Sequence, residues 1–164
     1  MAFRGVVYSY PVRVVFKKDV DIPLLGISHK AGTEVDLPLY LALKLEEMGA
    51  VEIDDSNFIQ PKDVASLKYV EQRESYPARL PEGFYPRVKL TVHVLNKRGD
   101  VKARDVLQYV RELVVERIRK IAVLVATRPD IVNDQNFLER LTPEEKALLH
   151  SMYVSLSSFV LSVT

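Results

Sequence analysis

The chain has 164 residues, 48% of them hydrophobic and 27% charged, and a chain of this length buries roughly 70% of its unfolded surface without covalent or metal cross-links. It contains no Cys, which excludes disulfides, Cys-ligated zinc and a Cys nucleophile. The net charge of +1 excludes the strong overall positive field that drives non-specific binding to nucleic acids.

Residues 1–57 are predicted to form a small β-rich domain that contains one helix. Apolar side chains alternate with other positions over residues 12–16 and 20–22, and they return over residues 50–53, which indicates short strands. Polar turn-forming side chains fill residues 54–57. We therefore expect the domain boundary at this polar run.

The helix of this domain is predicted to begin after Asp36, whose carboxylate suits the free amides of a first helical turn. It is predicted to end at Gly49. Its core face consists of apolar residues at helical spacing: Leu37, Leu41, Leu45 and Met48.

Residues 58–164 are predicted to be all-helical. Apolar residues at helical spacing indicate helices over residues 60–74, 101–127 and 142–163, and the middle one would run about 40 Å. Several Pro residues make residues 75–86 an extended connector. The expected fold class is thus α+β, with the β-rich domain first and an α-helical assembly domain after it.

Residues 88–95 fit two kinds of secondary structure. Val88, Leu90, Val92 and Val94 alternate strictly with other residues, which is the period of a strand. The same stretch follows a Pro and also places Val88, Val92 and Leu95 on one helical face. Local propensity alone favours the strand.

No constellation of catalytic, cofactor-binding or metal-ligating residues stands out in the sequence. Each Gly stands alone and none precedes a Lys-Ser or Lys-Thr pair, so neither phosphate-binding Gly-rich loop can be built. His29, His93 and His150 have no second ligand at metal-site spacing. Asp54 and Asp55 are best explained as turn formers. We expect no enzymatic activity and no cofactor.

The long predicted helix is apolar on more than one side. Its main stripe is joined by a second apolar set off that stripe, namely Leu113, Val115, Ala122 and Val123. A helix that is apolar on most sides is central either in a large core or in an assembly. Burial of this helix in the chain's own core remains one explanation. Residues 58–164 offer few other helices to surround it, however, which favours burial of the helix by a partner chain.

Five segments, in this order and spacing, resemble the GINS replication complex. They are residues 38–42 (PLYLA), 73–76 (RESY), 80–86 (LPEGFYP), 110–114 (VRELV) and 116–121 (ERIRKI). The resemblance is to the subunit type whose small β-rich domain precedes its helical domain, and the compact length resembles the archaeal form.

The resemblance implies a non-catalytic scaffold that links components of the replicative helicase. It implies a 2:2 hetero-tetramer with the other GINS subunit, which joins the MCM helicase and a RecJ-like protein, with DNA bound at most weakly. It makes the stretch after Pro86 helical, against the alternation. Carried onto this chain, it predicts a subunit interface at Val110, Leu113, Val114, Arg117, Ile118 and Ile121, with Phe84 and Tyr85 anchoring the connector.

The alternative from the residues is a small nucleic-acid-binding module. It would use basic side chains in the loop and first turn before the long helix, namely Lys97, Arg98, Lys102 and Arg104. A solvated loop in which Asp100 and Asp105 balance these charges is the simpler interpretation.

The sequence also predicts a cytoplasmic location without membrane association. The longest uninterrupted aliphatic stretch, residues 121–126, is far shorter than the roughly 20 residues that span a bilayer. Residues 1–12 carry polar side chains where a signal peptide needs an apolar core.

Overall fold

The computed structural model describes residues 7–23 and 26–163, and within them the chain is β-rich first and helical afterwards. The α+β class is confirmed. The elements of the first part are β1 (Pro11–Phe16), β2 (Val20–Ile22), β3 (Ile27–His29), β4 (Glu34–Pro38), α1 (Leu39–Glu47) and β5 (Val51–Ile53).

Strand β1 lies at the centre of an antiparallel sheet with the order β4-β1-β5, and β2 and β3 form a separate antiparallel pair. Val14 pairs with Val35 on one side and with Ile53 on the other. Val12, Val14 and Phe16 are buried because alternate side chains of a strand point to the same face. The predicted strands at residues 12–16, 20–22 and 50–53 are therefore confirmed to within a residue or two.

The predicted helix cap at Asp36 is wrong. Asp36 lies in β4, opposite Arg13, and its Oδ1 accepts a hydrogen bond from Arg13 Nε at 3.4 Å. Pairing with β1 keeps the chain extended through Pro38, so the helix begins at Leu39 without a side-chain cap. Burial of α1 against the sheet, through Leu39, Ala42 and Leu45, holds the helix in place.

The second part consists of four longer helices and two short turns of helix among the described residues. They are α2 (Pro61–Arg73), α3 (Phe84–Lys97), α4 (Lys102–Thr127), a 3₁₀ turn (Pro129–Asn133), α5 (Gln135–Leu138) and α6 (Pro143–Val163). A further 3₁₀ turn, Asp55–Asn57, occupies the predicted boundary. Helix α4 has 26 residues and is about 39 Å long.

Residues 88–95 are helical, as the family resemblance implied and against the strand expected from alternation. Val88 packs with α2 and α4, whereas Leu90 and Val94 pack into the core of the β-rich part. Because two different cores bury two sides of this helix, apolar residues are needed on both sides. Along the sequence they then alternate with other residues, which is the pattern of a strand.

Gly83 sets the start of α3. Its φ of 63° belongs to the left-handed region, which glycine adopts without strain. A Cβ at this position would also overlap the ring of Tyr10. The connector therefore turns into the helix at the one residue that fits both requirements.

Helix α3 joins the two parts through polar contacts as well as apolar ones. Arg87 Nε donates a hydrogen bond to the Asn57 carbonyl at 3.2 Å, and its Nη2 donates to the Ser56 carbonyl at 3.2 Å. Near the other end of α3, Lys97 Nζ lies 2.7 Å from Glu46 Oε1. The chain passes between the parts at residues 57–58, but α3 contributes side chains to both cores.

Candidate subunit interface

Most of the predicted interface positions on α4 face the interior of this chain. Val110, Leu113, Arg117 and Ile121 are buried, and so is Phe84. These five side chains have no surface to offer another chain. Whether the helix belongs to an interface therefore depends on its other side, where Val114 and Ile118 reach the surface and Val115 is 67% exposed.

Arg117 is fully buried and holds α2, α4 and α6 together. Its Nη1 lies 2.6 Å from Glu71 Oε2, its Nε lies 2.5 Å from Glu145 Oε1, and its Nη2 lies 2.7 Å from Glu145 Oε2. Nη1 also donates to the Ala78 carbonyl at 2.6 Å, which fixes the connector. Planar, two-pronged recognition of a carboxylate of this kind is what a guanidinium allows and an ammonium does not.

The acidic partners of Arg117 are themselves fully hydrogen-bonded. Glu71 Oε2 also accepts from the Ala78 amide at 2.9 Å, and its Oε1 lies 2.8 Å from Lys120 Nζ. Glu145 also closes a capping box at the start of α6, since its Oε2 accepts from the Thr142 amide at 3.0 Å. Two cations and two carboxylates balance, so the buried charge is neutral as a whole.

This cluster was not predicted from the sequence. Arg117 was expected at a subunit interface, and no ion pair was expected for Glu71 or Glu145. The signal was present: an Arg between Leu113 and Ile121 on a core-facing stripe needs a buried acid, because an unpaired buried charge is very unfavourable. The identity of the acidic partners depends on how the helices pack, and the spacing of residues in the sequence does not give this packing.

The cluster raises the pKa values of Tyr85 and Arg117. Burial, followed by the charge and hydrogen bond of Glu145 at 2.7 Å, raises the pKa of the Tyr85 hydroxyl well above its usual range. Burial alone would lower the pKa of Arg117, but the hydrogen bond and charge of Glu145 and the charge of Glu71 outweigh it and raise the pKa. Arg117 stays charged at every accessible pH.

Tyr85 should make the protein less stable in alkali. Its folded pKa lies above its unfolded value of about 10, so its contribution is complete below pH 10 and is lost as the pH rises. Above pH 10 we expect the unfolding free energy to fall by about 1.4 kcal/mol per pH unit more in the native chain than in Tyr85→Phe. Urea unfolding at pH 9, 10 and 11 measures this difference, with the exposed Tyr69→Phe as control. Equal slopes in native chain and Tyr85→Phe would contradict it.

An apolar groove opens beside this cluster. It has a volume of about 370 Å³ and is lined by Tyr85, Val114, Ile118 and Leu148, with Val7 also at its wall. Three of these residues belong to the set that the sequence predicted as an interface. Ile118 is 38% exposed, so the groove contains apolar surface that another chain can contact.

A second apolar groove lies between α4 and α6, towards the C-terminal end of α4. Its volume is about 520 Å³. Small side chains one turn apart form its floor, Ala122 and Ala126 on α4 and Ser151 and Ser155 on α6. Such a row of small side chains leaves room for the ridge of another helix.

The C-terminal half of α6 extends this apolar surface. Large apolar side chains here lie exposed: Val154, Leu156, Phe159, Val160, Leu161 and Val163. Single exposed apolar residues are ordinary, but a contiguous set indicates a contact surface. We call the surface formed by the two grooves and these side chains the α4/α6 face.

Helix α6 is also long and apolar enough, by length and composition, to cross a membrane. Its mean hydropathy over 18 residues is 1.2, and 6% of that window is buried. The sequence expectation of no membrane association rested on uninterrupted aliphatic runs, and Ser residues interrupt this one. The helix therefore needs either a partner or a lipid environment.

Two of the four basic residues of the alternative prediction have contacts within the chain. Lys97 is paired with Glu46, and the guanidinium of Arg98 lies 5.9 Å from the ring centre of Phe58. Lys102 and Arg104 are exposed at the start of α4. Among the described residues, no group of three His, Asp or Glu side chains is placed to hold a metal ion.

An α+β chain with a closed core and a large exposed apolar face is a subunit of an assembly. The family model described as Sld5, GINS complex protein helical bundle domain, matches residues 58–164, well over half of the chain. The chain belongs to this family and is a GINS complex subunit that acts in DNA replication beside other GINS subunits. No curated protein matches it.

Proposed function

We propose that this chain is a non-catalytic scaffold whose α4/α6 face packs against another GINS subunit. The observation that carries the proposal is the contrast between the two sides of α4. One side is closed by the fully satisfied Arg117 cluster, while the other exposes Val115, Ile118 and Val123. Burying apolar surface is the main favourable term in association, so an exposed face of this kind is a stable state only when covered.

A partner subunit fits α6 better than a lipid bilayer does. The charge-free part of α6, residues 147–163, is about 25 Å long, shorter than the roughly 30 Å hydrocarbon core. It also contains His150 and five Ser residues. Small polar side chains of this kind suit close helix packing in a protein interface, and the matched family domain includes the whole of α6.

The wider assembly is proposed from the family resemblance. It comprises a 2:2 hetero-tetramer of archaeal type that links the MCM helicase and a RecJ-like protein at a cytoplasmic replication site. We further propose residues 1–57 and 58–164 as its two domains. The family model begins at residue 58, and the polar contacts of Arg87 and Lys97 across this boundary would hold the β-rich part at a fixed place on the scaffold.

Co-expression with a second GINS subunit tests the proposal. The two chains should co-purify as one complex of defined mass, with equal copy numbers, and the chain alone should self-associate or precipitate. Native mass spectrometry gives the stoichiometry. A stable monomer that ignores the second subunit would overturn the proposal, and partition of the chain into added vesicles would favour the membrane alternative.

A further inference from the structure

A groove on the opposite end of α4 from its apolar half carries unpaired positive charge. It lies between the end of α3 and the first half of α4, has a volume of about 610 Å³ and is lined by Asn96, Arg104, Leu107, Gln108, Arg111 and Glu112. The side chains of Arg104 and Arg111 have no hydrogen bond or ion pair within residues 7–23 and 26–163, in contrast to that of Arg117 on the buried side of the helix.

The acid in this groove is already neutralised. Glu112 pairs with Lys68 from α2 and accepts from Gln108 Nε2 at 3.2 Å. These hydrogen bonds, that of Lys68 first and that of Gln108 second, lower the pKa of Glu112. The groove therefore presents two guanidinium groups whose charge no carboxylate at the site cancels.

The arrangement suits a row of phosphates. Arg104 and Arg111 are seven residues apart, which is two helical turns and about 10 Å. At that separation the two guanidinium groups would contact different phosphates of one strand. A guanidinium binds phosphate with two parallel hydrogen bonds, and the amide of Asn96 adds a further donor at the wall.

An acidic peptide fits the groove less well. Peptide-binding grooves use apolar pockets for anchor side chains, and among the described residues the only apolar side chain that lines this groove is Leu107. No aromatic ring from the described part of the chain lines it either, so bases would find no stacking surface there. Binding would then involve the backbone of the strand and not its sequence.

We propose that the Arg104–Arg111 groove binds the phosphate backbone of single-stranded nucleic acid. This site replaces the Lys97 and Arg98 positions of the sequence-based alternative, since those two are engaged with Glu46 and Phe58. It shares no lining residue with the two grooves of the α4/α6 face, the nearer of which includes Val114, about one helical turn from Arg111.

Fluorescence anisotropy with a labelled 20-nucleotide oligo(dT), measured on the purified full-length chain or its GINS complex, tests this site. Binding should be weak and steeply salt-dependent. Arg104→Ala/Arg111→Ala should weaken it roughly tenfold at low salt and reduce the slope of log K against log salt by about 1.4. Arg119→Ala, which removes one charge at an exposed position on the same helix, should leave both quantities unchanged.

Three results would overturn the proposal. The first is no binding at low salt, and the second is an equal loss in Arg119→Ala, which would indicate only the general field of the protein. The third is displacement of oligo(dT) by poly-glutamate at matched charge, which would assign the groove to an acidic peptide. Loss of DNA binding with intact co-purification of the second subunit separates this site from the proposed scaffold function.

Discussion

Arg117→Met is expected to lower the unfolding free energy by about 3–5 kcal/mol, the range found when one partner of a buried ion pair is removed. The substitution keeps an unbranched side chain of similar reach but leaves Glu71 and Glu145 buried without their cation. It also removes the donor to the Ala78 carbonyl. Urea unfolding at pH 7 measures the effect.

Two control variants separate the loss of charge from the loss of packing. Arg119→Met, exposed on the same helix, should change stability by less than about 0.5 kcal/mol. Replacing the whole cluster, Arg117→Met and Lys120→Met with Glu71→Leu and Glu145→Leu, should recover most of the loss, because no unpaired charge remains buried. An Arg117→Met protein within 1 kcal/mol of the native chain would show that the cluster does not hold the helices together.

Ile118→Glu combined with Phe159→Glu is expected to abolish association with a second GINS subunit while the chain stays folded. Both side chains belong to the α4/α6 face, at 38% and 65% exposure, so the new charges meet water in the free chain. In a complex they would be buried without partners, which lowers affinity by at least about 2 kcal/mol, or thirtyfold. Co-purification and calorimetric titration with the second subunit report the loss.

The matched control is Val101→Glu. Val101 is 81% exposed and precedes α4, outside the α4/α6 face. This variant should bind the second subunit as the native chain does. Equal binding by the Ile118→Glu/Phe159→Glu variant would remove the α4/α6 face as the interface, whereas equal loss in Val101→Glu would point to a general effect of added charge.

Secondary structure was predictable where one pattern dominated. The alternating apolar residues of β1 face one core, and the apolar stripe of α4 faces another, so a single period was enough. In α3, two sides of the helix are buried by two different cores, so the spacing of its apolar residues indicated a strand. Asp36 had the chemistry of a helix cap, but pairing of β4 with β1 took precedence.

The candidate interface was harder to predict because periodicity cannot distinguish a residue in the chain's own core from one on a surface that another chain would cover. Leu113 and Ile121 are as apolar as Val115 and Val123, yet the first pair lies in the chain's own core and the second is exposed. The Arg117 cluster brings together residues 46 and 28 positions apart along the chain, and only the packing of three helices does this. The family resemblance predicted α4 as the interface helix. The structure shows which side of α4 is exposed.

Hydrogen–deuterium exchange of the chain with and without a second GINS subunit tests the central claim most directly, because it reports where the chain becomes covered. On addition of the subunit, backbone amides of residues 147–163 and of the α4 segment from Val114 to Ala126 should gain protection. Those around Arg104 and Arg111 should stay unchanged. Unchanged exchange throughout α6 in a formed complex would contradict the claim that another subunit covers the α4/α6 face.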